Sequence, residues 1–499
     1  MKIGVKNTGF DALFHETLLI PISPEGVVAD WLPEEITTPI RTALTGGKLK
    51  PAPGSLCAMT ICVGARIRNV TLMRTGDPGV DSNREIFLRY ASALRRCGEF
   101  DAESAAILIC LDHDVSGRQD LCRKLCELPF LVGYDFNAYK TGERAASVRS
   151  VDFVTNMPGF DDIVSEATIC GESAILARDL VNHPSSYMTP SRFAEEAEKV
   201  CSECGIGISV LDRRAIEAHN MRAFLAVAKA TGDEPRLIVM RYLGGRGGQG
   251  EKSGERHLAL VGKGIMFDSG GYAIKSAMST MHDDMGGAAA VLGAMRAIAK
   301  RGLRINVTGV IPACRNMISP DAFVPGDIIE SMAGRTIQVL NTDAEGRLIL
   351  ADGITYAIRE EGADEIVDIA TLTGAAKGAV GNRSAAVFSN SDELYDEARR
   401  ASVASCEKIW RLDLDMELRR LLDSPVADIA NSRPGNTAGG GAIIAALFLR
   451  EFIEDKPWLH IDMAPVNWAT EDGAYFKKGA TGYGTSLLYK LAEIKSQRR

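Results

Sequence analysis

The chain has 499 residues, of which 46% are hydrophobic and 24% are charged. This length is enough for two or three domains with substantial cores, so a globular protein is expected. The formal net charge of -8 argues against a protein whose main task is to hold phosphate backbones, because such binding depends on clustered excess Lys and Arg. Nucleic acid is therefore not expected as a partner.

The N-terminal segment, MKIGVKNTGFDALF, lacks the basic region and the continuous apolar core of a secretory signal. The longest apolar stretches, 285–299 and 441–449, fall short of the roughly 20 residues that cross a bilayer. No membrane association is expected.

The eleven cysteines are odd in number and irregularly spaced. This pattern is typical of reduced thiols in a cytosol and not of a disulfide framework. Cys201 and Cys204 have CxxC spacing, but no second pair completes a zinc site, so we interpret both as ordinary thiols.

The first part of the chain alternates short strand-like and helix-like segments, the pattern of an α/β protein with a mainly parallel sheet. The predicted helices are 83–96 and 118–127, and the predicted strands are 107–111 and 153–155. No dense cluster of metal-ligand residue types falls in this part of the sequence.

Pro158 and Gly159 interrupt the pattern, and a predicted helix at 163–180 follows. We place a domain boundary there, which gives an N-terminal domain of residues 1–160 and a C-terminal domain of residues 161–499.

The second domain contains β-branched and apolar runs that predict buried strands in a covered sheet. The predicted strands are 237–242, 257–266, 305–312 and 365–372, and the clearest predicted helix is 285–301. The glycine-rich segment 244–254 has no GK[ST] ending and no helix after it, so we interpret it as a flexible surface connection.

The first stretch that carries chemistry is VGKGIMFDSGGYAIK, residues 261–275. It leaves an apolar strand and enters a glycine-rich loop bearing Lys263, Asp268 and Lys275. Charged groups at the carboxyl end of a strand are well placed for catalysis. The alternative is a turn with surface charges, and this stretch alone favours neither interpretation.

The second stretch, HDDMGGA at 282–288, places two carboxylates where an Ala-rich helix is predicted to begin. Asp283 is interpreted as a helix cap, because Asp is common at helix N-termini. Asp284 is the better candidate for a metal ligand, and His282 is expected to be a solvated side chain.

The third stretch is NTDAEGRL, residues 341–348. If it is extended, Asp343, Glu345 and Arg347 point to the same side. The carboxylates available to one cleft are then Asp268, Asp284, Asp343 and Glu345. Such a cluster could not stay ionised when buried without compensating cations, and two divalent metals would supply them. The alternative is an exposed acidic loop with a local salt bridge.

Together these three stretches closely resemble the leucine aminopeptidase family of metallopeptidases, also called the cytosol aminopeptidase family. The resemblance covers the C-terminal two thirds, from DLVN at 179–182 through ATLTGA at 370–375 to GATG at 479–482. It implies a C-terminal α/β metallo-exopeptidase domain with a mixed, mainly parallel central sheet. The N-terminal part, which resembles the family more weakly, would form a separate macro-like α/β domain.

Carried over by motif, the resemblance implies two divalent metal ions, zinc or manganese. Their ligands would be Lys263, Asp268, Asp284, Asp343 and Glu345, with Asp268 and Glu345 bridging both ions. The role of Lys263 rests on the resemblance alone, because an ammonium repels a cation and must lose its proton to bind one. The loop before Asp284 is shorter than is usual in the family.

Lys275 and Arg347 match the family's two catalytic positive charges. The resemblance implies that a water bridging the two metals becomes the nucleophile, while Lys275 and a metal polarise the scissile carbonyl. A bicarbonate ion held by Arg347 would act as general base.

The activity implied is removal of N-terminal residues from peptides, because the free amine of the substrate would bind one metal. The pocket floor would involve Met266 and residues 373–375, which suggests leucine and other apolar side chains. The family also implies a cytoplasmic homohexamer. Two other readings stay open at this point: a two-metal hydrolase of phosphate esters, and a non-catalytic or moonlighting DNA-binding or regulatory protein of the same fold.

Overall fold

The computed structural model describes residues 1–6, 15–77, 80–99, 102–109, 118–142, 148–230, 232–245, 256–435 and 439–497. The chain divides into two compact units. The first comprises Met1–Ile175, Val403–Cys406 and Thr470–Lys478, and the second comprises Leu176–Ser402, Glu407–Ala469 and Gly479–Arg499. The predicted domain boundary at residue 160 stays a prediction.

The first unit contains one mainly parallel sheet with helices. Its strands are β1 (Lys2–Lys6), β2 (Thr17–Ile22), β3 (Leu56–Val63), β4 (Arg66–Arg74), β5 (Ser104–Leu108) and β6 (Ser150–Val154). Its helices are α1 (Glu34–Thr45), α2 (Asn83–Gly98), α3 (Gln119–Val132) and α4 (Phe160–Asn182), the last of which continues into the second unit. The strand order is β1-β6-β5-β2-β4-β3, and only the β3–β4 pair is antiparallel.

The second unit carries the remaining elements. Its strands are β7 (Gly207–Leu211), β8 (Arg236–Leu243), β9 (His257–Gly262), β10 (Gly264–Asp268), β11 (Asn306–Asn316), β12 (Ile328–Glu330), β13 (Thr336–Gln338), β14 (Glu365–Ala370), β15 (Ala385–Ser389), β16 (Ile409–Arg411), β17 (Ile429–Ala430), β18 (Trp458–Asp462), β19 (Trp468–Ala469) and β20 (Gly479–Ala480). Its helices are α5 (Pro190–Cys204), α6 (Arg213–Ala218), α7 (Arg222–Val227), α8 (Gly286–Arg301), α9 (Gly346–Arg359), α10 (Gly374–Val380), α11 (Asp392–Ser405), α12 (Gly441–Arg450) and α13 (Thr485–Ser496). The last three residues of α11 belong to the first unit.

The large sheet of the second unit runs β16-β15-β18-β14-β9-β11-β8-β7, and β10 also pairs with β11. Its central strands β18, β14, β9 and β11 are parallel, whereas β7, β8 and β15 pair antiparallel toward the two edges. A small sheet, β12-β13-β17, lies apart from it. The α/β class with mainly parallel sheets is therefore confirmed.

The central strands are buried because helices cover them. All six residues of β14 are buried, and both α8 and α9 pack on β9, β11 and β14. Near the carboxyl end of β9 the start of α8 approaches so closely that a Cβ at Gly287 would lie 2.1 Å from the Ile369 carbonyl oxygen. Glycine is required at this position, and it brings the start of α8 to the strand ends.

The predicted helices and strands agree with the observed elements to within a few residues. One difference concerns the predicted strand 257–266, which is two strands, β9 and β10, interrupted at Lys263. Most of the predicted glycine-rich connection, from residue 246 onward, and the end of the predicted strand 107–111 lie outside the described residues. Cys201 and Cys204 lie on α5 as free thiols, as interpreted. Among the helices that the structure describes, none combines the length and apolarity needed to span a bilayer.

Candidate active site

The candidate residues gather at the carboxyl ends of the central parallel strands. Lys263 follows β9, Asp268 ends β10, and Thr371 follows β14. This edge of an open α/β sheet is where ligands commonly bind, because the chain leaves the strands there in loops free to carry polar groups.

Lys263 lies at the centre of the group with only 3% of its surface exposed. Its Nζ lies 2.9 Å from Asp284 Oδ2 and 2.9 Å from Glu345 Oε1, and it donates a hydrogen bond of 2.9 Å to the Thr371 carbonyl. Burial lowers the pKa of Lys263, but the attraction of the carboxylates around it is stronger, so its pKa is raised. The ammonium thus serves as the counter-cation of two buried acids.

Asp268 and Asp343 share a second positive charge, that of Lys275. The Lys275 Nζ lies 2.7 Å from Asp268 Oδ2 and also pairs with Asp343 Oδ1. The other oxygen of Asp268 accepts hydrogen bonds from the Gly270 amide at 2.9 Å and from Asn316 Nδ2 at 2.8 Å. These contacts fix the orientation of Asp268.

The stretch from Asn341 to Glu345 is a turn, so the predicted extended row is wrong. Glu345 has helical dihedral angles, φ -80 and ψ -36, and α9 begins at the next residue. Arg347 therefore lies in the first turn of a helix and not two places along a strand from Glu345. Asp343 and Glu345 nevertheless converge, because the turn folds them toward Asp268.

Asp284 is held from two sides, by Lys263 and by the Thr371 hydroxyl, which donates a hydrogen bond of 2.7 Å to its Oδ1. The predicted capping role of Asp283 is wrong: Met285 is the N-cap of α8, and no side chain caps this end. Burial raises the pKa of Asp283 to about 7. His282 is half-buried against Trp468, at 5.1 Å between ring centroids, and is not the solvated side chain expected.

Arg347 is buried, with 8% of its surface exposed. Its Nη1 donates a hydrogen bond of 2.8 Å to the Asn431 carbonyl, and its Nε has no hydrogen-bond partner among the described residues. Burial lowers the pKa of Arg347 to about 10, although nearby carboxylates raise it. The guanidinium keeps capacity to bind an anion.

The carboxylates fit a site for divalent cations. One oxygen from each of Asp268, Asp343 and Glu345 lies within 4.8 Å of the others. Among the described residues, Oε2 of Glu345 is buried and makes no hydrogen bond. Oε1 of Glu345, Oδ2 of Asp284 and Oδ1 of Asp343 each pair with a lysine ammonium. Buried acceptors without donors are costly, and hard cations satisfy them best.

The unfavourable environment of these acids also raises their pKa values. Burial raises the pKa of Glu345 to about 7, with a further contribution from Asp268. Burial likewise raises the pKa of Asp284 and of Asp343, to which neighbouring carboxylates add. A bound cation would remove this penalty and keep the acids ionised.

Several residues that shape the site were not predicted as site residues from the sequence. Thr371, Asn316, Asn431 and Asp462 contact its loops or its candidate ligands. Thr371 falls within the ATLTGA segment at 370–375 that carries part of the family resemblance, so its position after β14 was available as a signal. Asn431 stands in an unremarkable polar context that gave none.

Comparison with known proteins shows which family has this arrangement of residues. The model of the cytosol aminopeptidase family, catalytic domain, matches residues 175–489. The probable cytosol aminopeptidase of Clostridium perfringens is 38% identical over 475 residues, covering 92% of this chain and 93% of that protein. The chain belongs to the cytosol aminopeptidase family. A second relative, the probable cytosol aminopeptidase of Clostridium tetani, is 43% identical over 332 residues, covering 66% of this chain and 67% of that protein.

Solved structures agree with this family. A mutant of tomato leucine aminopeptidase is 31% identical, with a TM-score of 0.86, and the match covers 99% of this chain and 96% of that one. The bottromycin maturation enzyme BotP in complex with Mn is 28% identical, with a TM-score of 0.84 and coverage of 97% and 100%. The chain is accordingly a metal-dependent aminopeptidase. Neither the phosphate-ester hydrolase nor the non-catalytic binding protein is favoured.

Proposed function

We propose that this aminopeptidase cleaves leucine and other apolar residues from peptide N-termini, using two divalent cations held by the acidic cluster. The observation that carries the proposal is the group formed by buried Asp268, half-buried Asp343 and buried Glu345, of which one oxygen each lies within 4.8 Å of the others. In addition, the buried Oε2 of Glu345 makes no hydrogen bond with the described residues. Carboxylates in such a group need cations, and a metal-dependent aminopeptidase needs a metal site.

The ligands proposed are Lys263, Asp268, Asp284, Asp343 and Glu345. Lys263 would act as the neutral amine, so its proton must leave when a cation enters. Its present contacts with Asp284 and Glu345 support this exchange, because the ammonium now neutralises acids that the cation would neutralise instead. Zinc or manganese would suit this mixture of nitrogen and oxygen donors.

When bound, the two cations would polarise the scissile carbonyl and make water a nucleophile at neutral pH. Lys275 is partly exposed, with 22% of its side chain open to solvent, so its ammonium can turn toward a substrate. There it would donate a hydrogen bond to the carbonyl oxygen as negative charge develops. Arg347, whose buried Nε has no partner in the part of the chain that the structure describes, would hold a bicarbonate ion as general base.

The substrate end is proposed to be a free α-amine, which would bind a cation and which an internal peptide bond does not offer. Of the residues expected at the pocket floor, Gly374 and Ala375 are exposed whereas Met266 and Thr373 are buried. The preference for leucine would rest on the small, apolar surface of Gly374 and Ala375.

We further propose that the enzyme works in the cytoplasm as a homohexamer. The names of the relatives support the location, and the family resemblance of the catalytic motifs supports the assembly.

The test is hydrolysis of leucyl amide and of N-acetyl-leucyl amide by chelator-treated protein, with and without added manganese or zinc. The proposal predicts turnover only of the free amine, only with metal, and none by the Asp343→Ala variant. Turnover of the acetylated amide at a similar rate would contradict amine recognition. No turnover of either amide by folded, metal-loaded protein would contradict the proposed reaction.

A further inference from the structure

Asn431 directly follows β17, a two-residue strand of the small sheet. Residues Ile337 and Gln338 of β13 pair with Ile429 and Ala430 of β17 in parallel. The Asn431 amide continues this ladder with a hydrogen bond of 2.9 Å to the Gln338 carbonyl. The backbone of Asn431 is thus fixed beside the segment that leads into the turn from Asn341 to Glu345, which we call the acidic turn.

The carboxamide of Asn431 is fully buried and makes four contacts with that turn. Its Oδ1 accepts hydrogen bonds from the Leu340 amide at 2.8 Å and the Asn341 amide at 3.2 Å. Its Nδ2 donates to the Asn341 carbonyl at 2.7 Å and the Ala344 carbonyl at 3.4 Å. Two acceptor sites and two donor hydrogens are the full capacity of a carboxamide.

The same residue also holds Arg347. Its backbone carbonyl accepts the 2.8 Å hydrogen bond from Arg347 Nη1. Within the turn, the Asn341 side chain accepts a hydrogen bond of 2.8 Å from the Asp343 amide. Asn431 therefore connects, directly or through one residue, to the segment that carries Asp343 and Glu345 and to the guanidinium beside them.

We infer that Asn431 is the positioning residue of the acidic turn: its carboxamide sets the path of residues 340–344 so that Asp343 and Glu345 can bind the same pair of cations. This inference rests on the proposed function. Asn431 makes no contact with the candidate ligand oxygens in the described structure, so it acts through the turn. Mutation of a group that orients metal ligands typically lowers metal affinity or activity by about 10- to 100-fold.

Asparagine is the residue type that these contacts require. An apolar side chain would remove the partners of the Leu340 and Asn341 amides and of the Ala344 carbonyl in a buried place. The Asn341 carbonyl would keep only the hydrogen bond of 3.2 Å from the Ala344 amide. An aspartate would keep the acceptor for the amides but would set an oxygen against the Asn341 carbonyl oxygen, where Nδ2 now donates at 2.7 Å.

The experiment compares the wild type with Asn431→Ala, Asn431→Asp and a control, Asp352→Asn, by calorimetric titration of chelator-treated protein with Mn²⁺. Asp352 is a buried residue of α9 whose oxygens accept hydrogen bonds from the Phe224 and Met332 amides, so the control weakens the fold without touching the turn. We expect both Asn431 variants to bind Mn²⁺ about 10- to 100-fold more weakly, and the control to bind like the wild type.

The other outcomes contradict either the positioning role of Asn431 or the proposed function. Unchanged affinity in a folded Asn431 variant, or an equal loss of affinity in the control, would overturn the positioning role. Failure of both Asn431 variants to fold, with a folded control, would make Asn431 a structural residue and also overturn it. If the wild type itself binds no Mn²⁺, the proposed function fails instead.

Discussion

The Nζ of Lys263 lies 2.9 Å from Oε1 of Glu345, and both side chains are buried. The pair shows how the acidic site is neutralised by a side chain that the proposed mechanism needs as a neutral amine. Cation entry must then displace a proton, because an ammonium has no lone pair to offer.

Binding of Mn²⁺ is predicted to release a proton from Lys263. Calorimetric titrations in buffers of different ionisation enthalpy, at one pH, measure the number of protons released. The Lys263→Met variant should release about one proton fewer per chain. Equal proton release by the variant and the wild type would show that Lys263 stays charged and is no ligand.

Replacing Gly346 with alanine is predicted to damage the site through Lys263. A Cβ at Gly346 would lie 2.6 Å from Lys263 Cε and 2.7 Å from its Nζ, so the lysine must leave its position between Asp284 and Glu345. We expect weaker Mn²⁺ binding and loss of most turnover. The matched control is Gly98→Ala on α2, where a Cβ would meet no described residue within 4 Å. Normal metal binding by Gly346→Ala would contradict the arrangement around Lys263.

Lys275→Ala is predicted to lower kcat while leaving the bound metals in place. Removing a single donor to a developing oxyanion typically costs about 100- to 1000-fold in kcat, and losing a positive charge beside Asp268 and Asp343 should not weaken cation binding. Steady-state kinetics and metal content measure the two effects. The exposed Lys300 on α8 supplies the control, Lys300→Ala. A kcat close to that of the wild type would remove Lys275 from the mechanism.

The sequence predicted the strand ends that carry the site, because buried β-branched runs and the charged residues after them are local patterns. The prediction for residues 341–348 was wrong. It assumed an extended segment in which side chains two residues apart point to the same side, but helix α9 begins at Gly346. Asp343 and Glu345 were still correctly expected to lie together, since a turn and a strand can each bring them to one side.

Asn431 could not be predicted as part of the site for a different reason. Its partners, Leu340 and Asn341, lie about ninety positions earlier in the chain, and they meet through a strand of only two residues. A strand this short has no periodic pattern to detect. Only the folded pairing of β13 with β17 reveals the contact.

Asp352 is predicted to make stability depend on pH. Burial raises its pKa to about 7, although hydrogen bonds from three backbone amides lower it. The folded protein therefore keeps this proton up to about pH 7, whereas the unfolded chain releases it near pH 4. The stability that the bound proton contributes is full below about pH 4 and is lost by about pH 7. Between these values the free energy of unfolding falls by on the order of 1 kcal/mol per pH unit.

The Asp352→Asn variant lacks this titration. Its deficit in urea midpoint relative to the wild type should be larger at about pH 5 than at about pH 8. A deficit that is the same at both pH values, or larger at the higher one, would contradict the buried, protonated state of Asp352.

The acidic cluster is proposed to bind two divalent cations, and an anomalous difference map from crystals of the Mn²⁺-loaded protein would locate them. Two peaks are expected among Asp268, Asp343 and Glu345, and one of these ions should also be bound by Lys263 and Asp284. No peak at this cluster in protein that hydrolyses leucyl amide, or peaks only elsewhere, would contradict it.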